Sequence, residues 1–308
     1  MATQLFLFIF VPIITTVEGY EVFKLKIDNN INFIDINNDS IEHILFRAIS
    51  TSIDYGLFLD IDGTLADFNI NPNECFIPKK TLDTLSQLIK YNIPVIAVTG
   101  RDIHSAQKLF QDLNLPIAAL HGLEIYLNKT DKLIHHKEID TSEAYKNLIQ
   151  ECQAYPALLI ENKKASIALH YRQCPDLELT AKNIIQKVQH NFPNFKVISG
   201  KYVFELISPH ANKGRAIEMI LEYMSPSHKF SPIFIGDDVT DEDGFQVINQ
   251  IDHGISIKVG QGPTHAKYKL TDIQQVSHFL ELFLHQIKSK NSNVSHSNKL
   301  NGEKTCLN

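Results

Sequence analysis

Two carboxylates stand one residue apart where an apolar run ends, in "LFLDIDGTLADF" (57–68), as Asp60 and Asp62. Like charges at that spacing repel, and burying either one unpaired is costly. A second acidic group, "GDDVTDED" (236–243), puts five carboxylates within seven residues, led by Asp237 and Asp238. Thr99, Gly100 and Arg101 in "VTGRD" and Lys213 in "NKG" add a hydroxyl, a flexible backbone position and two cations. Such a set suits work on an anionic oxygen compound. A hard divalent cation such as Mg2+ takes oxygen ligands, and Asp60, Asp62 (through its carbonyl) and Asp237 can share one. A calcium loop of the EF-hand kind does not fit. It needs Gly at position 6 and Glu at position 12, whereas counting from Asp60 puts Gly63 at position 4 and Asn71 at position 12.

The elements that must position these groups are legible around them. "GLFLDI" (56–61), "VIAV" (95–98), "IAAL" (117–120), "PIFIG" (232–236) and "GISIKV" (254–259) are continuous apolar runs. Helical periodicity lies between them in "KKTLDTLSQLIKYN", "DIHSAQKLFQDLN", "NKGRAIEMILEYM" and the last helix, 273–288. That alternation predicts a parallel sheet covered on both faces. Ligands of such sheets bind beyond the carboxyl ends of the strands, which is where Asp60, Thr99 and Asp237 fall. From about Glu124 to Leu206 the pattern changes to two hairpins, "ALLIENKKASIALHYR" turning at 163–165 and "FKVISGKYVFELI" turning at Gly200. Helices near 141–154 and 176–191 separate them, so a small α+β unit is inserted into the larger one.

The four core motifs, in order and each after a strand, resemble those of the haloacid dehalogenase superfamily of phosphatases. "HGLEI", "IENKKASIALHYR", "GKYVFELIS", "NKG" and "GDDVTDEDGF" are similar to the trehalose-6-phosphate phosphatases within it. The likeness runs from about 54 to 286. It implies an α/β fold, a Rossmann-like parallel sheet core of the haloacid dehalogenase type with an inserted α+β cap of the C2 type. The expected division is a core over 51–122 and 207–288, a cap over 123–206, an N-terminal extension over 1–50 and a disordered tail over 289–308.

By that resemblance Asp60 is the nucleophile and Asp62 the general acid and base, with Thr99 and Lys213 completing the catalytic set. Gly63, Thr64, Gly100 and Arg101 are expected around the phosphoryl group, and Asp60, Asp62, Asp237 and Asp238 around Mg2+. Asp241 is expected to orient Lys213 or metal-bound water, and Glu242 and Asp243 to favour the start of a helix. In the cap, Glu161, Lys163, Arg172, Lys201 and Glu205 are the candidates for the sugar of trehalose 6-phosphate. Period-2 geometry puts Glu161 with Lys163, and Lys201 with Glu205, on one face of each strand. Arg101 serves equally as a substrate contact or an ion-pair partner. His121 and Glu124 are as readily structural as functional, and His170 reads as a core histidine. The alternatives are a phosphatase of another sugar phosphate, such as sucrose 6-phosphate, and a silent sensor of such esters; the second requires loss of groups that are present here.

Bulk properties agree with a globular enzyme of small molecules. The 308 residues are 44% hydrophobic, with 35 acidic and 29 basic side chains and a net charge of −6, which leaves no basic footprint for nucleic acid. Four cysteines lack any C-x-x-C pairing and are expected as reduced thiols in a cytoplasmic protein. The apolar run "QLFLFIFVPIITTV" (4–17) is shorter than the roughly 20 residues of a membrane span. It is compatible with an export signal, with a segment packed on the body, or with an extension outside the fold.

Overall fold

Three N-terminal strands, Ile14–Val17 (β1), Tyr20–Ile27 (β2) and Asn30–Asp35 (β3), form an antiparallel meander of their own. The computed structural model describes residues 14–17, 20–27, 30–35, 41, 44–45, 54–67, 74–127, 132–135, 139–163, 165–200, 202–224 and 230–302. Most of the apolar run at 4–17 therefore lies outside the described residues. No helix among those described is long and apolar enough to cross a membrane.

The larger unit is built on an eight-stranded sheet. In chain order its strands are Tyr55–Leu59 (β4), Val95–Val98 (β5), Ile117–Ala119 (β6), Glu124–Tyr126 (β7) and Lys132–His135 (β8). After the inserted unit come Ser231–Gly236 (β13), Ile255–Val259 (β14) and Tyr268–Leu270 (β15). The spatial order is β15-β14-β13-β4-β5-β6-β7-β8, with β7 and β8 antiparallel and the rest parallel. β4 is central, so its residues are buried on both faces. Leu57 and Leu59 join the core under helices Lys79–Lys90 (α1), Ile103–Phe110 (α2) and Ile273–Gly302 (α7). Phe58 points the other way, to Ile217 and Ile220 of Lys213–Met224 (α5) and Phe245 and Ile248 of Glu242–Gln250 (α6). This two-sided burial is what the continuous apolar runs demanded.

The inserted unit is an antiparallel sheet of order β11-β12-β10-β9, built from Leu159–Lys163 (β9), Ser166–His170 (β10), Lys196–Gly200 (β11) and Val203–Ile207 (β12). Alternation divides its two faces. Ile167, Leu169, Phe204 and Leu206 pack on helices Ser142–Cys152 (α3) and Glu178–Asn191 (α4). Lys163, Ser166, Glu205 and Ile198 take the opposite face. A small apolar cluster of Leu120, Leu123, Ala165, Ile207 and Ala211 seats the unit on the larger sheet.

Three boundaries differ from the sequence reading, the first being that Ile41, Ile44 and Leu45, expected in the N-terminal extension, are buried in the core with Leu57 and Leu59. Residues 124–126 and 132–135, expected in the cap, extend the eight-stranded sheet as β7 and β8. Their strands are three and four residues long, too short to carry a clear period. The last helix, expected to end at 288 before a disordered tail, continues to Gly302. Its polar stretch contains no proline, and extending an existing helix adds one hydrogen bond per residue fixed. Residues 303–308 lie outside the described residues.

Candidate active site

Strand β4 delivers Asp60 to the edge of the sheet, where its amide donates to the Ile235 carbonyl at 3.0 Å. The chain then turns tightly. The Ile61 carbonyl accepts from Leu65 and Ala66, and the Gly63 amide donates to Ala66 at 2.8 Å. Gly63 sits at φ +82°, and a Cβ there would lie 2.0 Å from Asp237 Oδ2. Glycine thus allows both the left-handed backbone and the close approach of the acidic loop after β13. Thr64, fully buried, leaves its Oγ1 without a partner among the described residues.

Lys213, the first residue of α5, is 3% exposed and reaches under the sheet edge. Its Nζ donates to Asp60 Oδ1 and Asp241 Oδ1, both at 2.7 Å. Burial drives the Asp60 carboxyl well above its ordinary value; Lys213 opposes this, while Asp241 and Asp237 add to it. Burial acts to lower the Lys213 pKa, but Asp241 and Asp60 outweigh it and hold the ammonium above its usual range. Asp237 is pushed up to about 7 by burial and by the charges of Asp241 and Asp238.

Carboxylate oxygens of Asp60, Asp237 and Asp241 lie within 4.8 Å of one another. Asp238, expected as a ligand, is used differently. Its Oδ1 accepts from the Val239 amide at 2.7 Å, and its own amide donates to Asp241 Oδ2 at 2.9 Å. These reciprocal bonds cap the 3-10 turn Val239–Asp241 and swing Asp241 inward. Asp241 is fully buried, and its bond to Lys213 is the orienting role expected for it. Lys258, a residue that sequence reasoning passed over, is buried at the end of β14 and donates to the Asp237 carbonyl. Its signal was a lone charge closing the buried run "GISIKV".

Arg101 stands as an ion-pair partner. It binds Asp62 in bidentate fashion, Nε to Oδ2 at 2.7 Å and Nη2 to Oδ1 at 2.6 Å. The Cys75 thiol, also missed, lies 3.4 Å from Asp62 Oδ1. Thr99 is buried and its Oγ1 accepts from the Arg101 amide at 3.1 Å. Asp102 caps α2 through the amides of His104 and Ser105, which fixes the Thr99–Arg101 loop at the strand end.

From the inserted sheet, Lys163 and Glu205 face the same cavity, with Lys163 Nζ 3.1 Å from Glu205 Oε1. Ser166, unremarked in the sequence, donates its hydroxyl to the same oxygen. Burial works to raise the Glu205 carboxyl, yet Lys163 and the Ser166 hydroxyl hold it below its ordinary value. Glu161 accepts from His170 Nε2 at 3.0 Å, and Arg172 Nη2 lies 3.3 Å from His170 Nδ1. Those two candidates stand beside the cavity rather than in its lining, and His170 is a linking group rather than a core residue. Lys201 lies outside the described residues. The cavity measures about 140 Å³ and brings together Asp60, Asp62, Thr99, Lys213 and Asp237 from the large sheet with Lys163 and Glu205 from the small one.

A family model described as trehalose-phosphatase matches residues 58–274, a span that holds every group just described. The chain belongs to the trehalose-phosphatase family. It is 30% identical over 244 residues to the trehalose-6-phosphate phosphatase of Escherichia coli K12, covering 79% of this chain and 91% of that protein. It is 36% identical over 219 residues to a probable trehalose-phosphate phosphatase of Sinorhizobium fredii, covering 69% and 81%. Among solved structures, a trehalose-6-phosphate phosphatase related protein superposes with TM-score 0.62 at 26% identity, over 76% of this chain and 99% of that one. The C-terminal domain of the Candida albicans trehalose-6-phosphate phosphatase gives TM-score 0.71 at 22% identity, over 80% and 97%, and speaks for the fold alone. As a trehalose-phosphatase the chain is a phosphatase enzyme with the haloacid dehalogenase fold.

Proposed function

We propose that this chain hydrolyses trehalose 6-phosphate to trehalose and inorganic phosphate through an aspartyl-phosphate on Asp60. The observation that carries the reading is the buried Asp60–Lys213–Asp241 array opening into one cavity with Lys163 and Glu205. An Asp60 oxygen attacks phosphorus while the bond to the sugar oxygen breaks, and Asp62 gives that oxygen its proton. Water then attacks the phosphorus, Asp62 takes the water proton, and the bond to Asp60 breaks to free phosphate. Both displacements use Asp62, which Arg101 holds by a bidentate contact. Donation in the first requires Arg101 to turn toward substrate.

Five carboxylates (Asp60, Asp62, Asp237, Asp238, Asp241) face three cations (Arg101, Lys213, Lys258) around this edge. That excess of negative charge would repel a phosphate ester, and Asp237 Oδ1 is buried without a partner among the described residues. The donor set therefore fits Mg2+, held by Asp60, the Asp62 carbonyl, Asp237 and, directly or through water, Asp241. When bound, the ion neutralises charge on the nucleophile and the phosphoryl oxygens. Thr64 and Thr99 hydroxyls and Lys213 hold those oxygens, which suits a loose phosphoryl transition state stabilised by position and charge.

The inserted sheet chooses the sugar, by charge-assisted hydrogen bonds from Lys163 and Glu205 to hydroxyls. The cavity measures about 140 Å³ and is open to solvent on one side, so a disaccharide can extend outward from the phosphoryl site past Lys163 and Glu205. Cys75, Cys152 and Cys174 are free thiols, which fits a reducing cytoplasmic location. The test is phosphate release from trehalose 6-phosphate with Mg2+, beside sucrose 6-phosphate and glucose 6-phosphate, each repeated with EDTA. EDTA-sensitive release from the trehalose ester well above the other two supports the reading, and equal rates on all three would refute the sugar assignment.

A further inference from the structure

His121 is held in an unusual way. Leu120, His121 and Gly122 take φ of 49°, 54° and 91° in succession, a left-handed stretch that only glycine adopts without strain. The turn drives the imidazole inward against the loop after β5, so closely that a Cβ on Gly100 would lie 2.5 Å from the ring. Both ring nitrogens are buried and neither has a hydrogen-bond partner among the described residues. Burying two polar atoms unpaired is unfavourable, and native proteins rarely tolerate it without a use. The ring lines the same cavity as Asp60, Lys163 and Glu205. Burial, with Lys213, Lys163 and Lys196 nearby and only Glu205 opposing, pushes its pKa down to about 3. The imidazole is therefore neutral, with one N–H and one lone pair.

We propose that His121 is a substrate-contacting residue that binds a hydroxyl of the sugar unit carrying the phosphate. This rests on the sugar-phosphate reading above and names a further group for it. A neutral imidazole matches a hydroxyl, which both donates and accepts, better than a phosphoryl group whose oxygens only accept. The phosphoryl oxygens already have Thr64, Thr99 and Lys213. Position agrees, since the ring sits in the wall between Gly100 on the phosphate side and Glu205 on the sugar side. The first sugar unit must pass that wall.

The experiment compares kcat/KM on trehalose 6-phosphate with that on p-nitrophenyl phosphate, which has no sugar hydroxyl, in the full chain with Mg2+. His121→Phe keeps the ring's bulk and removes both nitrogens. The expected result is a 10- to 100-fold fall in the ratio of the two constants, carried mainly by KM for the sugar ester, with a melting temperature no lower than wild type. His121→Gly suits the left-handed backbone and leaves a space of imidazole size, so the ratio should fall likewise and recover several-fold on adding free imidazole. An unchanged ratio in the variants, or equal losses on both substrates, overturns the proposal. So does a glycine variant whose ratio falls but ignores imidazole, even where the phenylalanine variant does not fold. A wild-type enzyme with no preference for the trehalose ester would instead overturn the substrate reading beneath it.

Discussion

Replacing Lys213 by Met removes one ammonium and keeps most of the aliphatic stem. The side chain is 3% exposed and bonds two carboxylates, Asp60 and Asp241, whose side chains are 6% and 0% exposed. Deleting one partner of a buried ion pair costs about 3–5 kcal/mol, because the remaining charge is left without compensation. Here two carboxylates are left, which argues for the upper part of that range, while protonation of Asp60 argues for the lower. At roughly 2–4 °C per kcal/mol for domains of 150–250 residues, the melting temperature falls by about 6–20 °C at pH 8 in EDTA. The pH dependence has a definite sign. Asp60 already has a raised pKa in the folded protein, and losing Lys213 raises it further. A carboxyl with a raised folded pKa favours the fold below its unfolded value, and that advantage is lost as pH rises through the folded value. The deficit of the variant therefore shrinks on moving from pH 8 to pH 5. Differential scanning fluorimetry at both pH values, with and without Mg2+, reads all of this, and Mg2+ should recover part of the loss. A melting temperature within about 2 °C of wild type at pH 8 in EDTA would refute the electrostatic account of this site, as would a deficit independent of pH.

Asp60→Asn should abolish phosphate release while leaving the metal-free melting temperature equal or higher, since it removes a carboxyl that burial already disfavours in its charged form; circular dichroism and a phosphate assay check both. Glu205→Ala should cut kcat/KM on trehalose 6-phosphate at least tenfold more than on p-nitrophenyl phosphate, because it strips Lys163 and Ser166 of their shared acceptor. Gly63→Ala should lose Mg2+-dependent activity, since a Cβ there displaces Asp237 and the left-handed backbone adds about 1–2 kcal/mol of strain. His121 stays neutral down to about pH 3 when folded but takes a proton near pH 6.5 when unfolded, so stability falls as pH drops below about 6.5, by up to ~1.4 kcal/mol per pH unit. Urea unfolding of wild type and His121→Phe at pH 6 and pH 5 should show a smaller loss in the variant.

The strand ends that carry Asp60, Thr99 and Asp237 were legible because a strand buried on both faces leaves an unbroken apolar signature, and the parallel topology then decides which end is the site. The hairpin turns at 163–165 and Gly200 were legible for a related reason, since alternation on each side fixes where the chain reverses. What the sequence could not disclose is which polar groups the third dimension turns inward. In "GDDVTDED" five carboxylates stand in one run, and nothing in their spacing says that Asp238 caps a 3-10 turn, although Asp241, three residues on, was expected to orient Lys213 and does reach it. The difference comes from Gly236, where a Cβ would lie 2.3 Å from the Asp241 carboxyl carbon. Only a glycine at the end of β13 lets that carboxylate fold back under the strand. Ser166 and Lys258 were hidden in the same way. Each is one ordinary residue on a strand, and its meaning lies in a neighbour reached through the sheet, Glu205 in one case and the Asp237 carbonyl in the other. The motifs therefore mark where phosphoryl chemistry occurs. The buried cations and hydroxyls that make so many carboxylates tolerable come from tertiary packing, so their contribution is measured by removing them one at a time, beginning with Lys213.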